Sequence, residues 1–411
     1  MKYLIIGNSA GGIGAVEGIR QIDKEGGITV ISNEPYHTYS RPLISYLLLG
    51  KITEDKRKYR GADFYAKNNV KLVHGTVKRI YPEDKQVILS GGEQVSYDKL
   101  MVAAGSSPFV PPFEGLDGVP AENRFAFMCL DDALNLNKAL DKNKRVLIVG
   151  AGLIGLKCAE GILEKVAGVT VVDLAPRILS SILDDYGAKP FQELLESKGI
   201  EFRLSRGVKR FEGRTAVLDD GETVDFDILV LAVGVRPNTA LLKDIAEIDK
   251  GIVINEKSET TAPDIYAAGD CVQTVDASSG ESKIMALLPN AYIQGECAGI
   301  NMAGGEKSFN KAIPMNAIGF FGLHVVTAGN YTGDKLYTER EGNGYKRLFY
   351  GDNKLNGFIL VGNVEKAGIY TSLIRERTPL DSIDFALVCK KPGMMAFTRE
   401  ERNIKLGGGA V

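Results

Sequence analysis

Closely spaced cysteines are absent from this sequence of 411 residues. Its five cysteines lie far apart along the chain, at Cys129, Cys158, Cys271, Cys297 and Cys389. They form neither a C-x-x-C nor a C-x4-C pattern, which excludes a redox disulfide between sequence neighbours, an iron–sulfur cluster run and a zinc knuckle. The three histidines are also scattered, so the sequence predicts no metal site.

Long apolar runs and a dominant charge sign are missing as well. No apolar run approaches about 18 residues, so we expect no membrane-spanning helix, and the opening MKYLIIG is too short for a signal peptide. The formal net charge is −2, which gives no electrostatic footprint for nucleic acid or an anionic membrane. We therefore expect a soluble, cytoplasmic protein with reduced cysteines, and the chain is long enough for two or three domains.

Short runs rich in valine, isoleucine and leucine recur along the chain and alternate with helix-like segments. The runs are KYLIIG, ITVISNE, KLMVAAG, RVLIVG, VTVVD and DILVLAVG. Such runs are typical of strands buried on both faces of a parallel sheet. The βαβ pattern opens at residue 3 and again at residue 145. This repetition predicts an α/β fold with two Rossmann-like nucleotide-binding domains.

The character of the sequence changes after residue 310. YKRLFYGDNKLNGFILVGN predicts a hairpin, and AGIYTSLIRERT predicts a helix after it. We therefore predict a C-terminal α+β domain at 312–411 that ends in a flexible tail, KLGGGAV. The two nucleotide-binding domains are then assigned to 1–112 with 240–311, and to 113–239.

The first glycine-rich loop, GNSAGGIG, follows the first predicted strand. Gly7 and Gly12 occupy the first and third positions of G-x-G-x-x-G, and Ser9 replaces the middle glycine. The first glycine permits a tight turn, the third permits close helix–strand packing, and the small serine leaves room for a phosphate at the helix N-terminus. Glu34 ends the next run, where a carboxylate accepts hydrogen bonds from ribose hydroxyls. The loop alone could serve packing only, but together with Glu34 it predicts nucleotide binding.

The second glycine-rich loop has the complete spacing, in RVLIVGAGLIGLKCAE. Gly150, Gly152 and Gly155 fill the three glycine positions, and Asp173 ends the following strand. A carboxylate there pairs with a ribose 2′-hydroxyl and repels a 2′-phosphate, so the sequence favours NADH over NADPH. Arg177 lies four residues later and could soften that preference. The alternative interpretation of Asp173 is an ordinary turn residue.

Further segments complete a family resemblance. They are VAAGSSP at 102–108, LAVGVRPNT at 231–239, DIYAAGDC at 264–271 and LLPNAYIQGECAGINMAG at 287–304. Together with the two loops they make the chain resemble the pyridine nucleotide–disulfide oxidoreductase superfamily of FAD enzymes. The branch it is most similar to contains NADH:rubredoxin oxidoreductase and the flavin module of nitrite reductase. The resemblance implies FAD and NADH as cofactors, with NADPH as an alternative, and implies that Asp270 binds the ribityl hydroxyls of FAD.

The motifs and the resemblance together assign cofactor binding to residues from all of these segments. The set is Gly7, Ser9, Ala10, Gly11, Gly12, Glu34, Arg41, Pro42, Ala104, Gly105, Gly150, Gly152, Leu153, Ile154, Gly155, Asp173, Gly234, Gly269, Asp270, Pro289, Asn290 and Ala291. Taken singly, Asp270 also fits a plain loop carboxylate and Pro289 a plain helix-start proline. Their occurrence together, in the family's order, favours the cofactor interpretation.

Residues 34–46, EPYHTYSRPLISY, contain no sulfur, although the disulfide reductases of the superfamily carry C-x4-C at this place. Thiolate chemistry is therefore excluded here, and the resemblance implies that electrons leave directly from FAD. Related ferredoxin reductases often pair a lysine and a glutamate beside the flavin, at positions matched here by Tyr46 and Lys157. We hypothesise that these two residues are catalytic, with Lys157 placing a positive charge near the flavin or the nicotinamide. The alternative is a solvated helix lysine.

The resemblance implies an NADH oxidoreductase that passes electrons through FAD to an external acceptor, such as rubredoxin or another iron–sulfur protein. Two alternatives within this class are an NADH-entry flavoprotein subunit of a larger oxidoreductase and a peroxide-forming NADH oxidase. A third alternative is a scaffold or sensor that binds both cofactors without turnover. The resemblance allows either a monomer or a homodimer, since the C-terminal domain of related enzymes forms a dimer interface or covers the flavin.

Overall fold

The computed structural model describes residues 1–53, 55–342 and 344–406. Its contacts divide the chain into two compact units. The first comprises Met1–Thr274 and Lys283–Phe309, and the second comprises Val275–Ser282 and Asn310–Val411. The finer division of the first unit, into 1–112 with 240–311 and 113–239, stays a prediction. Residues 405 and 406 of the predicted flexible tail end a helix, and the rest of that tail lies outside the described residues.

The described residues contain ten α-helices. These are α1 (Ala10–Ile22), α2 (Ile44–Leu48), α3 (Phe64–Lys67), α4 (Leu130–Ala139), α5 (Leu153–Ile162), α6 (Asp185–Ser197), α7 (Leu288–Met302), α8 (Ala367–Arg375), α9 (Phe385–Lys390) and α10 (Arg399–Leu406). None of these described helices is both long enough and apolar enough to cross a bilayer.

The strands are short, and most of them belong to the first unit. In chain order these are β1 (Lys2–Ile6), β2 (Gly27–Ser32), β3 (Val70–His74), β4 (Val77–Tyr81), β5 (Gln86–Leu89), β6 (Gln94–Ser96), β7 (Lys99–Val102), β8 (Ser106–Pro108), β9 (Arg124–Phe125), β10 (Arg145–Val149), β11 (Gly168–Asp173), β12 (Ile200–Leu204) and β13 (Val208–Glu212). They are followed by β14 (Thr215–Leu218), β15 (Thr223–Asp225), β16 (Ile228–Leu231), β17 (Val235–Pro237), β18 (Ile252–Val253), β19 (Ile265–Ala267), β20 (Val272–Val275), β21 (Ser282–Ile284), β22 (Met315–Phe320), β23 (Leu323–Gly329), β24 (Lys335–Glu341), β25 (Gly344–Gly351) and β26 (Lys354–Val361).

Two parallel five-stranded sheets form the framework of the first unit. The first has the order β19-β7-β1-β2-β3, and the second has the order β12-β11-β10-β16-β9. Their central strands are equivalent, since Leu4 of β1 lies between Thr29 and Leu100, and Leu147 of β10 lies between Thr170 and Leu229. Both central strands are buried along almost their whole length, because helices cover the two faces of a parallel sheet. The predicted duplicated Rossmann-like fold is therefore confirmed.

Strand β19 explains why the first sheet is discontinuous in sequence. This strand pairs in parallel with β7 at its edge, although the whole second sheet separates the two in the chain. The chain passes between the two sheets through β8 and β17, which pair with each other in antiparallel orientation. The proline-rich segment SSPFVPPFEGLDGVP at 106–120 therefore begins as a paired strand.

Helices α1 and α7 of the first unit pack against each other through glycines. A side chain on Gly14 would lie 2.3 Å from the carbonyl oxygen of Tyr292, and one on Gly295 would lie 2.0 Å from that of Gly11. Real Cβ atoms do not approach backbone this closely, so neither glycine can be replaced without moving a helix. This close approach holds the first glycine-rich loop against the start of α7.

We expect Gly295→Ala to lower the free energy of unfolding by about 3 kcal/mol, because its Cβ would push α7 away from α1. The matched control is Gly368→Ala in α8, where a Cβ would meet no atom within 4 Å. That change should instead stabilise the protein by about 0.5 kcal/mol through the higher helix propensity of alanine. Urea unfolding of the two purified variants measures both effects. Equal stability of the two would contradict the tight helix crossing.

The second unit is built on an antiparallel sheet of order β22-β23-β26-β25-β24. The predicted hairpin is present as β25 and β26, joined by Asp352 and Asn353, which both adopt positive φ angles of 49° and 58°. Such a two-residue turn matches the twist of the flanking strands. The predicted helix that follows is α8, which buries Tyr370 against this sheet. The predicted C-terminal α+β fold is therefore confirmed.

Candidate functional site

The first glycine-rich loop connects β1 to α1 and leaves no room for larger residues at two of its positions. Gly7 has a φ angle of +114°, and a Cβ there would lie 2.2 Å from the carbonyl oxygen of Ala103. A Cβ on Gly12 would lie 2.0 Å from the carbonyl oxygen of Gly7. Ser9 is the N-cap residue of α1, but its side chain does not cap the helix. The N–H groups of Ala10 and the residues after it therefore offer the start of α1 to an anion.

Glu34 lies two residues beyond the end of β2 rather than at the strand end, and its carboxylate is engaged by neighbours. The guanidinium of Arg41 and the hydroxyl of Tyr39 both donate to it. Burial raises the pKa of Tyr39, so this phenol stays protonated and keeps donating. Arg41 also donates to the carbonyl of Met128, and Tyr39 accepts from the N–H of Leu130. The predicted ribose acceptor is thus tied to the residues at the start of α4.

The second glycine-rich loop connects β10 to α5 and has two crowded positions and one open position. A Cβ on Gly150 would lie 2.3 Å from the carbonyl oxygen of Ala232, and one on Gly155 would lie 2.0 Å from that of Gly150. Gly152 has an ordinary φ angle of −80°, and a Cβ there would meet nothing within 4 Å. Leu153 and the residue after it form the first turn of α5. The middle glycine therefore faces free space, as a pyrophosphate-binding position requires.

Asp173 ends β11, as the sequence predicted, and holds the second loop in place. Its two carboxylate oxygens accept the N–H groups of Ala151 at 2.6 Å and Ala175 at 2.7 Å. Arg177 is engaged elsewhere, because it donates to the Leu183 carbonyl at 2.9 Å and to Asp185 at 3.0 Å. With its guanidinium held there, Arg177 is poorly placed to offset the carboxylate of Asp173.

Asp270 lies three residues beyond the end of β19 and is half-buried. The hydroxyl of Ser106 donates to its carboxylate at 3.1 Å. Burial raises the pKa of Asp270, and Ser106 and the positive charge of Arg41 oppose that rise. The fold therefore brings Asp270 within the electrostatic field of Arg41, although the two are far apart in sequence. Ser106 was not among the predicted residues, and its place in VAAGSSP was the signal that could have identified it.

The remaining predicted flavin-side residues lie on several separate segments of the first unit. Gly269 donates its N–H to the buried side chain of Gln294 at 3.0 Å, and Pro289 stands in the first turn of α7. Asn290 and Ala291 follow it and are buried. Ala104 accepts a hydrogen bond from Asn238, a residue that the sequence analysis missed. Pro42 lies in the short 3-10 turn that leads into α2.

These two loops fit the two dinucleotides that the sequence predicts. A Cβ added at Gly105, Gly152 or Gly234 would meet no protein atom within 4 Å. The other glycines of the two loops described above would instead clash with a backbone carbonyl. Ser106 and Arg41 only partly offset the effect of burial on the Asp270 carboxylate, whose pKa stays raised. This carboxylate therefore suits a further hydroxyl donor, such as a ribityl chain. The open Gly152 at the start of α5, and the small Ser9 at the matching position before α1, leave room for a pyrophosphate group at each helix N-terminus.

The structure brings the two predicted catalytic residues into contact. The ammonium of Lys157 lies 4.9 Å from the centre of the Tyr46 ring and forms an ion pair with Glu160. The side chain of Lys157 is 13% exposed and that of Glu160 is 4% exposed. The alternative of a solvated helix lysine is therefore wrong. Sequence reasoning missed Glu160, and its spacing of three residues from Lys157 on one helix was the available signal.

Comparison with known proteins gives two family matches. The family described as pyridine nucleotide-disulphide oxidoreductase matches residues 1–295, and the rubredoxin NAD+ reductase C-terminal domain matches residues 314–378. The chain is 33% identical over 393 residues to the NADH-dependent phenylglyoxylate dehydrogenase subunit epsilon of Aromatoleum evansii, and the match covers 92% of each protein. It is 27% identical over 369 residues to the NADH-rubredoxin oxidoreductase of Clostridium acetobutylicum, covering 88% of this chain and 91% of the relative.

Among solved structures, the chain is similar to one from the covalent putidaredoxin reductase–putidaredoxin complex. The TM-score is 0.86 at 23% identity, and the match covers 100% of this chain and 99% of the other. At that identity the likeness shows the fold alone.

Proposed function

This chain belongs to the pyridine nucleotide-disulphide oxidoreductase family, and on that premise we propose that it takes hydride from NADH onto FAD and passes the electrons to an external iron–sulfur or rubredoxin-type acceptor. The observation that carries the proposal is the pair of dinucleotide-binding loops in one compact unit, at Gly7–Gly12 and Gly150–Gly155. The match of the C-terminal unit to a rubredoxin reductase domain supports the class of acceptor.

The cysteines of this chain support an electron path without an internal thiol. Cys271 follows Asp270 directly, yet it is fully buried and donates to backbone carbonyls. Burial raises the pKa of Cys271 to about 11, and it does the same for Cys129. Cys158 is next to Lys157, and burial raises its pKa as well. These thiols stay protonated near neutral pH and are poor nucleophiles.

Bound FAD would supply a hydride acceptor that can release its electrons singly, which a nicotinamide does not do readily. The chain's own contribution is alignment of two dinucleotides rather than acid–base chemistry. In this proposal the starts of α1 and α5 would bind the two pyrophosphates, and Asp270 would accept a hydrogen bond from the ribityl chain. Asp173 holds the second loop and would accept from the adenosine ribose of NADH. Tyr46 and Lys157 lie where α2 meets α5.

A second candidate function is the NADH-entry subunit of a larger oxidoreductase. The likeness to a dehydrogenase subunit over nearly the whole length of both proteins supports it. The flavin chemistry is the same in both candidates, and only the acceptor differs. The monomeric or dimeric state and the cytoplasmic location stay predictions.

The test begins with anaerobic purification. The protein should be yellow, and NADH should bleach it under argon, whereas a colourless protein or an unbleached one would contradict the proposal. The rates of NADH oxidation with rubredoxin and with oxygen then separate electron transfer from a peroxide-forming oxidase. A faster rate with oxygen than with any iron–sulfur carrier favours the oxidase. An anaerobic pull-down, followed by NADH-driven reduction of what co-purifies, identifies the acceptor and tests the subunit candidate.

We expect kcat/KM for NADH to exceed that for NADPH by about 30-fold or more, because the carboxylate of Asp173 repels a 2′-phosphate. Asp173→Asn should reduce this ratio by about tenfold, mainly by raising KM for NADH and lowering it for NADPH. The control is Asp225→Asn, which removes a carboxylate from β15 that accepts from Thr215. The ratio in the control should stay unchanged. An unchanged ratio in Asp173→Asn would leave Asp173 as a loop-holding residue only.

A further inference from the structure

Glu160 is a buried carboxylate that neither glycine-rich loop uses. It lies in the second half of α5, and 4% of its side chain is exposed. Carboxylates are rarely buried this deeply unless they are paired, because burial removes the water that stabilises their charge. Its partner is Lys157, one turn earlier on the same helix. A buried ion pair inside the helix of a cofactor-binding motif requires a reason.

The pair lies at the contact between α2 and α5, which we call the helix joint. Helix α2 lies between strands of the first sheet and α5 between strands of the second, so the joint connects the two nucleotide-binding halves of this unit. The contact is close, since a Cβ on Gly161 would lie 3.2 Å from the Cβ of Leu48. From the α2 side, the ring of Tyr46 faces the ammonium of Lys157 at 4.9 Å. An electron-rich ring face and a carboxylate thus both stabilise this ammonium.

Stability alone does not account for this arrangement. The desolvation cost of two buried charges commonly offsets their attraction, and an apolar pair of the same size would pack about as well. The buried carboxylate of Glu160 nevertheless holds the ammonium of Lys157 at the joint. The arrangement fixes the position of the charge.

The joint also lies beside the flavin-side residues. Arg41, which is close to Asp270, begins the turn that runs directly into α2. Tyr46 follows Arg41 by five residues, or roughly 8 Å of helical chain. A fixed positive charge on this side of the FAD site stabilises a bound group that gains negative charge on reduction.

We propose that Glu160 is a positioning residue that holds the Lys157 ammonium against Tyr46 at the helix joint, where its charge stabilises the reduced state of bound FAD. This inference rests on the proposed function. It assigns to Glu160 the control of the reduction equilibrium rather than of NADH binding or folding.

The experiment measures the midpoint potential of the bound flavin, by equilibration with a reference dye, in Glu160→Gln, Lys157→Met and the double variant. Each single variant should lower the equilibrium ratio of reduced to oxidised FAD about tenfold, or about 30 mV for a two-electron couple. The double variant should fall no lower than Lys157→Met, because without the lysine Glu160 has no charge to position and its own negative charge is also removed. Lys157→Arg should retain most of the original potential. The control is Lys165→Met just beyond α5, whose ammonium donates to Asn137, and it should change nothing.

A second measurement separates positioning from a purely structural role. The melting temperature of each variant is compared after removal of FAD. A lower melting temperature with an unchanged flavin potential would show that Glu160 only stabilises the fold, and it would overturn the inference. If Glu160→Gln does not fold, Glu160→Asp serves instead, and a shift of about threefold in the same direction is expected. No shift in Glu160→Asp overturns the inference equally.

Failure of this inference is distinguishable from failure of the proposed function. If the unmodified protein is not bleached by NADH, the proposed function fails before any variant is made. If it is bleached and the potentials of the variants equal that of the unmodified protein, only the role of Glu160 fails.

Discussion

Replacing Gly152 by valine should abolish reduction by NADH while leaving the fold and the bound FAD intact. Gly152 has a φ angle that any residue adopts, and a Cβ there would meet no protein atom within 4 Å. The valine side chain would instead fill the space that we assign to the pyrophosphate of NADH. The backbone N–H groups at the start of α5 would no longer reach the phosphates, and kcat/KM for NADH should fall by at least about 100-fold.

Stopped-flow measurement of flavin bleaching gives this effect directly, and the melting temperature and FAD content of the variant should match those of the unmodified protein. The matched control is Gly150→Ala in the same loop. Gly150 has a φ angle of +116°, and its Cβ would lie 2.3 Å from the carbonyl oxygen of Ala232. That variant should be destabilised by about 3 kcal/mol or more, because both the backbone angle and the contact are unfavourable. Unimpaired NADH reduction in Gly152→Val would show that the nicotinamide dinucleotide binds elsewhere.

Replacing Asp270 by alanine should yield a colourless protein that keeps its fold. The carboxylate of Asp270 is half-buried, receives a hydrogen bond from Ser106, and lies within the field of Arg41. Its burial raises its pKa, so the site favours a further hydrogen-bond donor, which a ribityl hydroxyl supplies. Losing this contact, and leaving Ser106 without its acceptor, should weaken FAD binding at least about 100-fold.

Absorbance of the purified variant at the flavin band measures retained FAD, and titration of the apoprotein with FAD gives the dissociation constant. The control is Asp264→Asn at the other end of the same strand, whose carboxylate forms surface ion pairs with Lys85 and Lys99. Such surface pairs contribute about 1 kcal/mol or less, so this variant should stay yellow. A yellow Asp270→Ala protein with unchanged affinity would remove Asp270 from the FAD site.

The structural features that the sequence predicted correctly are those that depend on a few neighbouring residues. The spacing of Gly150, Gly152 and Gly155 predicted a strand, a tight turn and a helix, because each glycine meets a local requirement of that unit. The hairpin at Asp352 and Asn353 follows from turn chemistry in the same way. The missing cysteines also needed no structure, because an absent side chain cannot react wherever the chain folds.

Contacts between distant segments were decided by the tertiary structure. Sequence suggested Lys157 but left open whether solvent surrounds it, since burial depends on which helix packs over it. The approach of α2 to α5 places Tyr46 over the lysine and helps to bury its ion pair with Glu160, which is a neighbour on the same helix. Likewise, the return of β19 to the first sheet brings Asp270 into the electrostatic field of Arg41. The physical reason is that glycine spacing and strand patterns act over a few residues, whereas the environment of a charge is set by every element packed around it.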